Sequence, residues 1–257
     1  MSGTSDVGAM GADLPRYLQL RWDREAAGRR GPKPRMSIEE IGAAAVELAD
    51  REGFDAVSMK AVADGLGMTA MSLYRYVDSK DDLIDLMLNV GYGAPDRAWT
   101  KGVGWRAGLD RWAREIAAGL LARPWMIAAH AATGRPPLGP NVLLWEECGL
   151  AAFEGIDLPE TAKLSAMLLL DGFVRSHVGQ SVQLGAVGAG VDPGQPHEDR
   201  YHELIGELVT PQQFPLLTVA AEAAAHDDSD FYGTELDFGI GVILDGLAVK
   251  IERAVSL

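Results

Sequence analysis

The chain has a single cysteine, Cys148, among 257 residues. It cannot build an internal disulfide framework, and this suits a reducing cytoplasm. Long apolar runs are also missing. The longest, Leu164 to Leu170, is held between Lys163 and Asp171, far short of the roughly 20 residues a membrane helix needs. No basic-then-apolar leader opens the sequence, so the chain is expected to remain in the cytoplasm, away from the membrane. Strand-like alternation and fixed-period repeats are absent. There is no glycine-rich phosphate loop, no nucleophile elbow and no His/Cys cluster at zinc spacing. No catalytic group, cofactor or metal is therefore expected.

Positive charge is scarce as well. Lys and Arg number 23 against 37 Asp and Glu, a net charge of −14, which argues mildly against a nucleic-acid partner. The distribution matters more than the sum, because phosphate attraction follows the local field. Seven basic residues fall within 16–35 (Arg16, Arg21, Arg24, Arg29, Arg30, Lys33, Arg35), opposed only by Asp23 and Glu25. Residues 1–90 carry 11 basic and 15 acidic side chains, residues 91–257 carry 12 and 22. The acidity thus sits mainly in the later part.

What is present is helical periodicity. Residues 1–13 are Gly/Ser/Ala-rich and read as disordered, and 14–27 read as a short basic helix carrying Leu14, Leu18 and Trp22 on one stripe. In Gly28-Arg-Arg-Gly-Pro-Lys-Pro-Arg35, two prolines and two glycines forbid a helix and leave an extended basic arm. It is either a solvated linker or an arm for phosphates or the minor groove through Arg29, Arg30, Lys33 and Arg35; its place just before the next motif favours the arm.

Ser37-Ile-Glu-Glu40 forms a capping box that opens a helix with Ile38, Ile41, Ala45, Leu48 and Ala49 on one face, stopping near Gly53. Ser58, Thr69 and Ser79 can cap three further helices. Met59, Val62, Ala63 and Leu66 precede the break at Gly65-Leu66-Gly67, and Ala70, Leu73, Tyr74 and Val77 follow it. Two short helices across a glycine-bearing turn have helix-turn-helix geometry, in which the second helix enters the major groove. The fourth helix is expected over 79–90, with Leu83, Leu86, Met87 and Val90 inward and a break at Gly91-Tyr-Gly-Ala-Pro95. A domain boundary is placed there, giving 1–35, 36–90 and 91–257. Further helices are expected at 105–122, 125–132, 139–153, 159–183, 198–209, 211–226 and 233–254. An irregular loop at 185–196 interrupts them. The fold class is all-α.

The capped helix 37–53, Lys60-Ala-Val-Ala-Asp-Gly-Leu-Gly-Met68 and Ser72-Leu-Tyr-Arg-Tyr-Val-Asp-Ser-Lys-Asp-Asp-Leu83 resemble the tetracycline-repressor family of bacterial transcription regulators. The later part resembles that family's ligand domain more loosely, through His130-Ala-Ala-Thr-Gly-Arg-Pro136, Phe153-Glu-Gly-Ile-Asp-Leu158 and Phe238-Gly-Ile-Gly-Val-Ile-Leu-Asp-Gly246. The resemblance implies a homodimer joined by two late helices of each subunit, about 160–183 and 233–254. It also implies a palindromic double-stranded operator and release by a small inducer. Carried over by position, the DNA-contact set is Lys60, Thr69, Ala70, Met71, Ser72, Tyr74, Arg75, Tyr76 and Lys80. Tyr74 has two open readings, a phosphate-directed phenol or a core residue with a polar tip, and Arg75 is either solvated or on a phosphate.

The large side chains of the later part are core or pocket, with helical stripes favouring core. Polar residues beside apolar helices are more informative, since buried polar groups need partners or ligands. The candidate ligand residues are Trp112, His130, Arg135, Trp145, Glu146, Asp171, Arg175 and His177. In tetracycline-binding members a His followed by Thr-Arg-Pro helps to hold a metal–drug chelate. Here Gly134 intervenes between Thr133 and Arg135-Pro136, so a small hydrophobic or polycyclic inducer without metal is expected. The competing reading is an enzyme or a helical small-molecule-binding dimer in which the head is secondary. Its only nucleophile candidate is Cys148 with His177, and a lone cysteine beside Trp145 and Leu150 is more often a small core residue.

Overall fold

The computed structural model describes residues 15–22, 36–100, 102–184, 204–224 and 231–255. The arm at 28–35, with Arg29, Arg30, Lys33 and Arg35, and the loop at 185–196 lie outside the described residues. Every regular element among those described is helical. In chain order they are α1 (Arg16–Arg21), α2 (Ile38–Glu52), α3 (Met59–Gly65), α4 (Ala70–Leu73), α5 (Lys80–Tyr92) and α6 (Trp105–Ala122). Then come α7 (Trp125–Ala132), α8 (Pro140–Ala151), α9 (Glu160–Gln183), α10 (Pro215–Ala224) and α11 (Phe231–Val255). The all-α expectation holds.

The chain gathers into two compact units, one within 1–96 and 125–147, the other within 97–124 and 148–257. Packing thus returns residues 125–147 to the unit that holds the head, where a division by sequence position alone would leave them with the later part.

In the first unit, Ser37 Oγ accepts from the Glu40 N–H at 3.1 Å while Glu40 Oε2 accepts from the Ser37 N–H at 2.6 Å, completing the capping box that starts α2. The helix buries Ile38, Ile41, Ala45, Val46, Leu48 and Ala49 and ends at Gly53, whose φ of 83° favours glycine. Ser58, Thr69 and Ser79 each accept a backbone N–H at the start of α3, α4 and α5. α5 runs two residues beyond the expected stop. Gly91 is helical and closely approached: a Cβ there would lie 3.1 Å from Met126 Sδ and 3.2 Å from Trp125 Cη2. The helix ends at Gly93, φ 63°.

α5 also departs from a one-sided surface helix, since every residue from Asp82 to Asn89 is buried. α2 packs on one side and α7 on another. Of the expected inward stripe, Leu83, Leu86 and Met87 are buried and Val90 is half-buried; Ile84 and Leu88 are buried too, and so are the polar Asp82, Asp85 and Asn89.

In the second unit α6, α9 and α11 pack together. Trp112, Leu109, Ile116 and Leu120 from α6 join Met167, Leu170, Val174 and Val178 from α9 and Leu236, Ile240 and Leu244 from α11 in the core. Gly149 allows close approach, as a Cβ there would sit 3.1 Å from the Trp112 indole and overlap Met167. Asp171 is ion-paired with Arg175 one turn along α9. Burial still pushes its carboxyl above the ordinary value, against the pull of Arg175.

Two stability changes are expected. A Cβ at Gly139 would overlap the Oδ1, Cβ and Cγ atoms of Asn89. Gly139→Ala must push residues 138–141 away from α5, costing roughly 1–3 kcal/mol as overpacking does; an unchanged melting temperature would contradict this. For Asp171, a raised folded pKa means a contribution fully present below the unfolded value of about 3.9 and lost as pH rises through the folded one. Asp171→Asn should therefore gain stability relative to the parent as pH rises from 4 to 7 in urea unfolding. A variant that loses ground over that range would refute the assignment.

Candidate nucleic-acid interface

The turn between α3 and α4 is closed by Met68 N–H donating to Ala63 O at 2.9 Å and by Gly67 at φ 64°. α4 has only four residues, and the chain continues as turns through Tyr76. Leu73 and Val77 are fully buried beneath it. That anchoring turns the intervening side chains outward. Met71 is 80% exposed and Tyr74 is 50% exposed, so Tyr74 is a surface phenol and not a core residue. Arg75 is also exposed.

Lys60 on α3, Thr69 at the cap and Lys80 at the first residue of α5 are exposed, while Ala70, Ser72 and Tyr76 are half-buried. Thr69 Oγ1 accepts from the Ser72 N–H at 3.2 Å, and the two hydroxyls lie 3.0 Å apart. Part of the hydrogen-bonding capacity of Thr69 and Ser72 is thus taken up by the cap. The Lys80 ammonium lies 5.7 Å from the Phe54 ring centroid, a cation–π contact that restrains a long side chain. The surface presents an apolar tip, two phenols, a guanidinium and two ammonium groups, the chemistry suited to base edges flanked by phosphates.

A second set of side chains, which local sequence patterns do not reveal as a group, stands behind this surface. Asp82, Asp85 and Asn89 recur every three to four residues on α5, so they share one side of the helix. Arg135 Nη1 donates to Asp85 Oδ2 at 3.1 Å and Nη2 to Asp82 Oδ1 at 2.9 Å. The Leu138 N–H donates to Asp85 Oδ1 at 3.1 Å, and the Asn141 N–H to Asn89 Oδ1 at 2.8 Å. The Tyr17 hydroxyl, on α1, donates to Asp85 Oδ2. Burial raises the Asp85 carboxyl above its ordinary value, opposed by Tyr17, Arg135 and the Leu138 amide. Burial likewise raises the Tyr17 phenol, reinforced by Asp85, so Tyr17 remains a donor. The signal available in sequence is the 82/85/89 spacing of polar residues within an otherwise apolar helix; α1 gives none.

The eight ligand candidates divide between the two units. In the first, His130 Nε2 and the Tyr92 hydroxyl share a hydrogen bond of 2.7 Å, and the Trp145 indole N–H donates to Gly93 O at 3.1 Å. Arg135 is held by Asp82 and Asp85, and Glu146 is exposed. In the second, Trp112 is buried and Asp171 and Arg175 pair with each other. His177 stacks between Phe173 and Tyr232 and has Nε2 at 2.9 Å from Tyr232 O. Thr133 Oγ1 donates to Arg135 O at 3.1 Å, so the inserted Gly134 is accommodated in a local turn. Cys148 is buried. No helix among the described residues is long and apolar enough to cross a membrane.

Comparison with known proteins bears on both parts of the chain. Residues 41–87 match the family of bacterial regulatory proteins called the tetR family, and residues 100–251 match the tetracyclin repressor-like C-terminal domain. The HTH-type transcriptional repressor DrrR1 of Streptomyces coeruleorubidus is 33% identical over 267 aligned residues, covering 98% of this chain and 96% of that protein. An HTH-type transcriptional regulator of Saccharopolyspora erythraea is 36% identical over 142 residues, covering 55% of this chain and 59% of its own length. Among solved structures, apo ActR of Streptomyces coelicolor shares the fold with a TM-score of 0.70 at 22% identity, over 87% of this chain and all of that one. ActR in complex with actinorhodin gives 0.68 at 22% identity, over 84% and 97%. The chain belongs to the tetR family of bacterial regulatory proteins and is a helix-turn-helix transcriptional regulator.

Proposed function

We propose that the protein is a cytoplasmic repressor that binds a palindromic operator as a homodimer and leaves it when a small hydrophobic or polycyclic inducer binds. The observation that carries this reading is the outward presentation of Met71, Tyr74 and Arg75 over the buried pair Leu73 and Val77. Met71, 80% exposed, offers an apolar tip suited to contact with a thymine methyl. Lys60, Thr69, Ala70 and Ser72 lie around it, with Tyr76 and Lys80 directed at the backbone.

Dimerisation is supported by apolar stripes left exposed in the single chain. On α9 they are Leu164, Leu168 and Leu169, and on α11 Phe238, Val242 and Val249, 44–69% exposed. Leu164 and Leu168, one turn apart, share one face of α9, with Leu169 to its side, and Phe238, Val242 and Val249 share one face of α11, as a helix–helix seam requires. A two-fold dimer joined there presents two recognition segments to two half-sites. The inducer reading draws on the aromatic and polar candidates held in each unit and on ActR, a protein of the same fold that binds actinorhodin. Taking an operator complex from almost fully bound to almost fully released needs about 5.5 kcal/mol of differential affinity. The inducer must therefore favour one arrangement of the protein strongly.

Two measurements test the DNA reading. Tyr76→Ala combined with Lys80→Ala should weaken binding to the chain's own upstream region at least tenfold in a mobility-shift titration, since each removes a backbone anchor. Sedimentation should show the same dimer, and undiminished affinity would remove both residues from the interface. Replacing Arg29, Arg30, Lys33 and Arg35 by Ala should weaken binding and reduce its salt slope by roughly one for each phosphate no longer neutralised. Substitution is preferable to removing residues 1–35, which would also take away Tyr17. An unchanged slope would make the arm a linker.

A further inference from the structure

α1 lies ahead of residue 41, where the match to the family's head begins. Yet it is built into the first unit. Tyr17 is completely buried and Leu18 nearly so, and the helix packs on α2. Two polar contacts place it across the junction that matters for DNA reading. The Arg16 N–H donates to Asp78 Oδ2 at 3.3 Å, in the turn that leaves the recognition segment. The Tyr17 hydroxyl donates to Asp85, on the second turn of α5. One short helix therefore grips the chain on both sides of the Ser79 cap.

Asp85 has little freedom to compensate for the loss of that donor. It is 2% exposed, and its other partners, Arg135 and the Leu138 amide, reach it from residues 135–138. A buried carboxylate stripped of a hydrogen bond recruits another partner, moves toward water or takes up a proton, and the first two responses displace the helix that carries it. α5 follows the recognition segment after three residues, Val77 to Ser79, with Val77 fully buried. A shift of α5 is therefore transmitted to Tyr74, Arg75 and Tyr76.

From this arrangement we infer that Tyr17 is a positioning residue for operator binding: acting through Asp85, it fixes the direction of α5 and hence of the recognition segment. It contacts no DNA itself, and the inference rests on the operator-binding role proposed above. The same hydrogen bond gives a segment outside the family's head a part in setting affinity, separate from the charge of the arm that follows it.

The test is a double-mutant cycle on operator affinity, read by fluorescence anisotropy with the full-length protein. Tyr17→Phe keeps the buried ring and removes only the hydroxyl. It should weaken operator binding about tenfold, as loss of a hydrogen bond to a charged group does. Far-UV circular dichroism and dimer mass should stay unchanged. In an Asp85→Asn background, where the carboxylate is already gone, the same substitution should cost less than about twofold. A lower melting temperature with full operator affinity would overturn the inference, leaving Tyr17 merely stabilising, and so would an equal loss in both backgrounds. If Tyr17→Phe does not fold, Asp85→Asn alone must show the affinity loss, and normal affinity there rejects the proposal. Tyr76→Ala in parallel separates the two levels: if the parent chain does not bind the operator, or Tyr76→Ala loses no affinity, the DNA reading has failed; if Tyr76→Ala loses affinity and Tyr17→Phe does not, only the positioning role has.

Discussion

A carboxylate buried inside a helix that is itself buried on every side needs partners from other parts of the chain. Asp85 meets that need with a phenol from α1, a guanidinium from residue 135 and the amide of residue 138. Asp82 and Asn89 extend the same edge by one turn each way. Because each partner comes from a distant stretch of sequence, satisfying these groups fixes where those stretches lie. Apolar packing of α5 against α2 and α7 supplies bulk stabilisation but would tolerate sliding. The directional bonds specify register, the role in which buried polar groups are best supported.

This constraint explains why residues 125–147 pack with the head. Trp125 donates to Asp50 at 2.6 Å, Met126 and Trp125 close over Gly91, and Trp145 donates to Gly93 O. These contacts cover α5 and the end of α2. The recognition segment stands on the opposite footing. It is short, capped by Thr69 and packed on α3, with Leu73 and Val77 buried beneath it. Through Val77 to Ser79 it is also joined directly to α5 and so to the elements that hold α5. In the operator-binding role proposed above, a change in the clamp on α5 would alter how these side chains are presented while leaving the side chains themselves untouched.

Much of the fold is legible in local signals. Capping residues at Ser37, Ser58, Thr69 and Ser79 start helices where expected, and α6 and α7 have the limits their periodicity predicts. The break, caps and turn of the helix-turn-helix are legible because their signals are all local. Three features are not. Helix α5 outruns its glycine, and Gly91 is packed by Trp125 and Met126, more than thirty residues away. Tyr74 is exposed because α4 unwinds after Leu73, which a helical stripe cannot show. Arg135 has the sequence signature of a ligand contact, since a charge beside apolar helices has few local explanations. Its partners, Asp82 and Asp85, lie some fifty residues earlier, near a helix start where acids already have a local reason to stand. The 82/85/89 spacing marks one side of the pairing, but nothing local in the sequence names its partners.

Through Asp82, Asp85 and Asn89, α5 and residues 135–141 are tied to behave as one body. Hydrogen exchange of the full-length protein tests it directly, because amides that open together share one opening free energy. Peptides covering 80–92 and 135–145 should show matching protection, and Arg135→Met should accelerate both to the same extent. Acceleration confined to 135–145, with α5 as protected as before, would contradict the account.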